Sequence, residues 1–423
     1  MNILMLTNTY APHVGGVAHS VQAFEEAYRA RGHRVMVVAP SFEGAAEREG
    51  VVRVPSLQHF NGSDWSVPVP IPGYLTSRLA AFRPEVVHSH HPFLLGATAL
   101  RIAAAWDAPC VFTHHTQYER YTHYMPGDSP VLKRFISDLV TGYCNLCAAV
   151  VAPSAAIADR LRADGVTVPV EVVPTGIVPE RFRRGDPAAF RARWGLPPDA
   201  FVVGHVGRLA PEKNLDFLVE AVGRFLTRMP QARALLVGSG PSENAVQEGF
   251  AARGLADRLV RTSTLVGDEL VEAYRAMDAF AFASTSETQG LVLAEAAAAG
   301  VPLVALSGPG VDDVVRDRWN GRLLPSDAPD PDAFADALAW VAARPPALKR
   351  SLGDALRSTA RELSMERSAD RMLALYERLR AGVRSANTAY SLSALLRRAS
   401  EDVKIFANFL DALLAATLPG EEA

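Results

Sequence analysis

Cysteine is scarce in this chain. Its 423 residues carry 3, Cys110, Cys144 and Cys147, an odd number without clustered spacing, which excludes a disulfide framework. Cys144 and Cys147 lie in an apolar, helix-like context with no second pair to complete a zinc site, so buried thiols are expected. Long apolar runs are missing as well: none reaches the ~18 residues of a spanning helix. The opening "MNILMLTNTYAP" has too short an apolar run and no charged leader for a signal peptide, and reads as a first strand. A cytoplasmic protein is expected, soluble or peripheral on the inner face of the membrane. Nor is there excess charge of one sign. With 43 basic and 46 acidic residues and a net charge of -3, no global field would recruit nucleic acid. Apolar residues are plentiful at 49%, enough for two ordinary α/β domains.

Strand-like and helix-like runs alternate along the first half: "NILMLT", "SVQAFEEAYRARG", "RVMVVAP", "PEVVHSH", "LLGATALRIAAAW", "CVFTHHT". The series restarts after "VEVVPTGIVPERF" with "AFVVGHVGRL", "LDFLVEAVGRFLTRM", "ARALLVGSG", "SENAVQEGFAARG", "AFAFAS", "AEAAAAG" and "PLVALS". The order predicts α/β architecture: two doubly wound, Rossmann-like lobes with a cleft between them, and with the carboxyl ends of both parallel sheets around one site. The boundary falls near Pro174 to Pro179, where Pro, Gly and Thr break the periodicity. The expected divisions are residues 1–176, 177–365, a crossover helix over 366–380 and a helical tail over 381–423. The tail places Leu396, Phe406, Phe409 and Leu413 at helical spacing. Its acids Glu401, Asp402 and Asp411 offset its bases, which favours a docking helix or an oligomer contact over a membrane-surface helix.

Four stretches could carry chemistry. In "APHVGGVAHS", Gly15 and Gly16 separate the first strand from its helix, where bare backbone can approach an anion at a helix N-terminus, or merely make a tight turn. "GRLAPEKN" puts Arg208 and Lys213 after the first strand of the second lobe, where two cations could clamp a diphosphate. "SETQGLVLAE" sets Glu287 and Glu295 about two helical turns apart. Ionised carboxylates there could accept hydrogen bonds from sugar hydroxyls at two ends of one ligand, or Glu287 could be a helix-entry acid and Glu295 a buried acid satisfied by backbone. Finally, His88, His90, His91, His114, His115 and His123 share one sequence neighbourhood. Metal ligation would need a fixed set of three or four with supporting partners, whereas strand-end histidines can donate to sugar oxygens.

Taken in order, "GGV", "HT", "VPTGI", "GRLAPEKN" and "SETQGLVLAEAAAAGVP" resemble the retaining glycosyltransferases of family 4, which have the two-lobed GT-B fold, from Met1 to about Arg380. The resemblance implies that Arg208 and Lys213 hold and stabilise the departing diphosphate, with Gly15 and Gly16 assisting. It places Glu287 on the transferred sugar, Glu295 on the ribose, and Thr288, Gln289, Gly290 and Leu291 along the donor. His115 would lie beside the reacting carbon. It further implies a front-face reaction in which the leaving phosphate takes the acceptor proton, with no obligatory cofactor or metal. The Thr-Gln after the first acid, and the aromatics of "HTQYERYTHY", look like the bacterial diacylglycerol glucosyltransferases. That similarity implies UDP-glucose as donor, a lipid acceptor mouth at Tyr118, Tyr121 and Tyr124, and peripheral membrane contact through the first lobe, where Lys133 and Arg134 stand beside Phe135 and Ile136. The alternatives are another donor or acceptor, such as mannosyl transfer to phosphatidylinositol or to a soluble sugar, a nucleotide-sugar 2-epimerase, and a non-catalytic nucleotide-sugar binder. Two stretches depart from the family pattern: "RTSTLVGDEL" lacks the usual aromatic and glycine, and "SGPGVDDVV" carries Asp312 where many relatives have Glu.

Overall fold

The computed structural model describes residues 1–13, 15–57, 67–69, 73–120, 122, 128–284, 286–382 and 392–417. The chain divides into two compact units, Met1–Gly176 with Met365–Ala423, and Ile177–Ser364. The first contains β1 (Asn2–Leu6), β2 (Arg34–Pro40), β3 (Val51–Val54), β4 (Ser56–Leu57), β5 (Val67–Pro68), β6 (Val86–Ser89), β7 (Cys110–Thr113), β8 (Ala149–Ala152) and β9 (Val170–Val172). The second contains β10 (Val202–Val206), β11 (Arg233–Val237), β12 (Leu259–Thr262), β13 (Ala279–Phe282), β14 (Leu303–Leu306) and β15 (Gly321–Leu324).

The first unit's main sheet has the order β3-β2-β1-β6-β7-β8-β9, and the second unit's sheet the order β12-β11-β10-β13-β14-β15. Every neighbouring pair in both is parallel. In each sheet the order reverses beside the unit's first strand, and the two loops that part there open a crevice at the carboxyl edge. That switch point lies between β1 and β6 in one unit and between β10 and β13 in the other.

Burial on both faces explains why these strands read as continuous apolar runs: β6, β7, β8, β13 and β14 are buried at every position. The covering helices bury one stripe each. Leu215–Arg228 turns Leu215, Leu218, Val219, Val222, Phe225 and Leu226 inward, the spacing of an amphipathic helix. Local chemistry sets several starts: Ser129 and Ser154 accept from the backbone N–H groups of Leu132 and Ile157, and Asp186 accepts from those of Ala188 and Ala189, each filling an orphan donor of the first turn.

The sequence pattern passed over several short strands, among them β3, β8 and β15. "AAVVAPS" follows a helix without a polar break, and a short apolar run of that kind cannot be told from helix by periodicity. The helix holding Glu295 also begins earlier than its alanine run suggests, at Leu291, with Gly290 in the left-handed conformation at its N-cap.

The helix Met365–Ala381 belongs to the first unit. Its Met372 and Tyr376 are fully buried in a core with Val21 and Tyr28, and its rim is tied by Arg31–Asp370 at 2.9 Å and Arg378–Glu171 at 2.6 Å. The tail helix Leu392–Thr417 lies on the helices Leu95–Trp106 and Pro130–Leu146. Asn408 Nδ2 donates to the Leu139 carbonyl at 3.1 Å, Arg397 Nε to that of Ala104 at 3.0 Å, and the Phe409 and Phe135 rings meet edge to face. Cys110, Cys144 and Cys147 are buried free thiols. Among the described residues no helix is long and apolar enough to cross a membrane.

Candidate functional site

In the second unit the loops after β10, β11, β13 and β14 converge at the carboxyl edge of the sheet, and glycine permits their approach. Gly238 has φ +139, and a Cβ there would run into the Gly207 carbonyl oxygen. Gly310 has φ +71, and a Cβ there would stand 2.5 Å from Gln289 backbone atoms. Both positions combine a conformation that side chains rarely adopt with direct backbone contact. Gly238→Ala should therefore splay the β10 and β11 loops. We expect it to lower the thermal midpoint of unfolding well below that of Gly300→Ala, which is equally left-handed but open to space, in differential scanning fluorimetry.

Lys213 ends a short 3-10 turn, Pro211–Lys213, that follows β10; Glu287 lies beyond β13. The strands are neighbours at the switch point, so residues 74 positions apart meet: Lys213 Nζ donates to Glu287 Oε1 at 2.6 Å. Ser286 Oγ donates to the Glu212 carbonyl at 3.1 Å, and Asn214 Nδ2 to that of Ala283 at 3.3 Å, tying the two loops together. Burial pushes the Glu287 carboxyl up, but the Lys213 charge and hydrogen bonds from Lys213 and Ser284 outweigh it and hold the group below the usual carboxylate range. The pair is thus charged. Arg208, half exposed in the same loop, has Nη1 3.9 Å from Glu212 Oε1.

His205, on β10, was not singled out in the sequence. Its Nδ1 lies 3.1 Å from the Ala281 carbonyl, to which only an N–H can donate, so Nε2 is the bare nitrogen of the neutral ring. Nε2 is buried without a hydrogen-bond partner, and burial depresses the ring to about 4. The signal available beforehand was a polar residue inside an otherwise apolar strand, "VVGHV".

Glu295 sits one turn into the helix Leu291–Ala298. The Tyr274 hydroxyl donates to its Oε2 at 2.7 Å, so its partner is a side chain and not backbone. Burial pushes this carboxyl up to about 7, against the opposing pull of the Tyr274 hydrogen bond and the Arg181 charge. Environment therefore moves the two glutamates of one short segment in opposite directions, Glu287 below and Glu295 above the usual carboxylate value. Thr288, Gln289, Gly290 and Leu291 span the loop and helix start between them; Gln289 is buried and lies against Gly310. Asp312 accepts from Ser307 Oγ at 2.9 Å and from the Gly308 N–H at 3.0 Å, which closes the loop after β14 on itself.

In the first unit, Gly16 opens the helix Gly16–Ala30, and Gly15 is its N-cap with extended backbone, φ -176. No left-handed turn requires glycine there. Gly16 has no atom within 4 Å of where a Cβ would stand, so local packing does not require glycine there; it stands at the helix N-terminus, where the first backbone N–H groups have no intrahelical partner.

The histidines gather at the carboxyl ends of β6 and β7. His88 Nε2 lies 2.7 Å from Thr113 Oγ1 and its Nδ1 2.5 Å from the Tyr376 hydroxyl. His90 Nδ1 lies 3.0 Å from His115 Nε2, and the two rings stack. His91 Nδ1 accepts from the Asn8 N–H at 3.1 Å. Burial drives all of them to the neutral form: His88 and His91 fall to about 3, His114 to about 4, and His90 and His115 well below their ordinary value. No group of His, Cys, Asp or Glu among the described residues is arranged to hold a metal ion.

Tyr118, in a 3-10 turn Tyr118–Arg120, packs edge to face on Phe93 and His114. Tyr121, Tyr124 and His123 lie outside the described residues. Lys133 and Arg134 stand exposed on the outer face of Pro130–Leu146, while Phe135 and Ile136 turn inward.

Two doubly wound units of this kind define the GT-B class. Anabaena HepE, solved in complex with UDP and glucose, matches with a TM-score of 0.69 at 18% identity, over 89% of this chain and 99% of that one. The model of "Glycosyltransferase Family 4" matches residues 14–181, and that of "Glycosyl transferases group 1" matches residues 200–344. A GDP-mannose-dependent alpha-mannosyltransferase of Mycobacterium tuberculosis is 31% identical over 77% of this chain and 84% of its own length. An alpha-monoglucosyldiacylglycerol synthase of Streptococcus pneumoniae is 28% identical over 76% of this chain and 75% of its own length. The chain belongs to glycosyltransferase family 4, and it is a nucleotide-sugar-dependent hexosyltransferase.

Proposed function

We propose that this enzyme transfers glucose from UDP-glucose to the free hydroxyl of a membrane diacylglycerol with retention at the anomeric carbon. The observation that carries this reading is the similarity to the pneumococcal synthase across both units. The Thr-Gln that follows Glu287 and the basic outer face at Lys133 and Arg134 agree with it.

In this reading Lys213 and Arg208 bind the donor diphosphate. The glycosidic C1–O bond to the β-phosphate breaks, the acceptor oxygen bonds to C1 on the same face, and the acceptor proton passes to a departing phosphate oxygen, leaving UDP. Cations held in place before the reaction stabilise the charge as it develops on the diphosphate. Glu287 accepts from the hydroxyls of the transferred sugar, Glu295 from the ribose, and Gln289 with its neighbours lines the donor. His115, kept neutral and braced by His90, lies beside the reacting carbon; Gly15 and Gly16 bring backbone N–H groups to the anion. Tyr118 borders the acceptor.

A second reading has GDP-mannose as donor, favoured by the mycobacterial relative. A panel of UDP- and GDP-sugars, each with and without diacylglycerol vesicles, separates the two. Consumption of UDP-glucose that rises with vesicles, with glucosyl-diacylglycerol as product, is the expected result. Turnover of GDP-mannose alone would install the second reading, and transfer to a water-soluble acceptor without regard to vesicles would overturn the lipid assignment.

A further inference from the structure

The tail helix Leu392–Thr417 is apolar on two sides. One side, through Ala394, Ile405, Ala412 and Ala416, faces the first unit and is buried or half buried. Facing away are Leu396, Ala399, Val403, Phe406, Leu410 and Leu413, all exposed. Their exposure is large for such residues: 62% at Leu396, 68% at Val403 and 61% at Phe406. Phe409 and Leu414 border the stripe, exposed by 44% and 56%. A helix apolar on opposite sides is ordinarily covered on both, and among the described residues only one cover is present.

Three features say what the second cover is. The outward residues recur at alternating steps of three and four over the length of the helix, the a and d positions of a heptad repeat, which match the grooves of another helix. The stripe itself carries no charge. Its flanks hold Arg397, Arg398 and Lys404 against Glu401, Asp402 and Asp411, and Asp402 is already paired with Arg101, as Glu401 is with Lys404. A helix seeking an anionic lipid surface needs a basic excess beside its apolar face, and this one has none. With neighbouring large apolar side chains each so exposed, the stripe is a continuous apolar patch of the kind that marks an interaction site, where scattered single residues would not.

We propose that this stripe is the interface of a homodimer, in which the tail helices of two copies pair face to face about a two-fold axis. The same patch then meets itself, an arrangement that closes without leaving an open end. The two tail helices form the inner layer, and the helices Leu95–Trp106 and Pro130–Leu146 of each copy lie outside them.

The test is the molar mass of the full-length enzyme by light scattering and by sedimentation between 1 and 50 µM, with the variant Val403→Glu/Phe406→Glu beside it. Both substitutions lie on the outward stripe, away from the first unit, so the far-ultraviolet spectrum and donor turnover serve as checks that the fold is kept. A dimeric wild type and a monomeric, active variant are expected. A wild type that stays monomeric at 50 µM, or a variant that stays dimeric, overturns the proposal. Flotation with anionic vesicles is measured on both proteins: a monomer that floats through Val403 and Phe406 would assign the stripe to lipid instead.

Discussion

Lys213→Ala should lower the rate of glycosyl transfer by on the order of a thousandfold, as expected when a fixed cation opposite developing negative charge is removed. It should also cost stability for a separate reason. The variant strands the Glu287 carboxylate, which is only 17% exposed at its side chain, and removing one member of such a pair leaves a poorly solvated charge that costs a few kcal/mol. The two effects can be pulled apart. In Lys213→Ala/Glu287→Gln the remaining side chain is neutral, so the thermal midpoint should recover most of its loss while transfer stays abolished. Differential scanning fluorimetry and a UDP-release assay on the three proteins make the comparison. A double variant as unstable as the single one would remove the stranded-charge account, and unchanged turnover in the single variant would remove Lys213 from the diphosphate.

Glu295 should make the stability of the second unit fall as pH rises. Its carboxyl is pushed from an ordinary 4.5 up to about 7 in the folded chain. Between those values the folded state holds a proton that the unfolded state has released, so the contribution is fully present below about 4.5 and is lost as pH climbs through 7. The size is about 3 kcal/mol across the window. Glu295→Gln, which keeps the shape and cannot ionise, should leave the thermal midpoint little changed at pH 5 and raise it by several degrees at pH 8. If Glu295 takes the ribose hydroxyls as a carboxylate, the donor KM of the wild type should also rise as pH drops below 7, with the glutamine variant about tenfold weaker at pH 8 and flat with pH. A wild type and variant with parallel pH profiles would mean that the carboxyl is ionised throughout.

Much of the fold was legible because its elements announce themselves locally. Strands buried on both faces must be apolar at every position, and helices that cover them must be apolar on one stripe, so "NILML" and "LDFLVEAVGRFLTR" carry their states in their own residues. The strands that escaped include β3, β8 and β15, each four residues long, too short for periodicity to separate a strand from any other apolar run. The segment "SETQGLVLAE" showed two acids at a helix entry, yet not what each would touch. The same is true of His205: its polar ring stood out in an apolar strand, yet only the fold shows that the Ala281 carbonyl holds one of its nitrogens.

By itself, then, the sequence determined the α/β alternation, the two sheets and the family motifs, because each depends on residues within a dozen positions of one another. Tertiary structure alone decided the rest. Strand order brought Lys213 to Glu287 across the switch point, where its charge holds that carboxyl below the usual range, while burial pushes Glu295 in the same segment up to about 7. Docking on Pro130–Leu146 decided which side of the tail helix would face water. A charge state or an exposed face depends on what lies within a few ångströms, and chain connectivity does not report those neighbours until the sheet has closed.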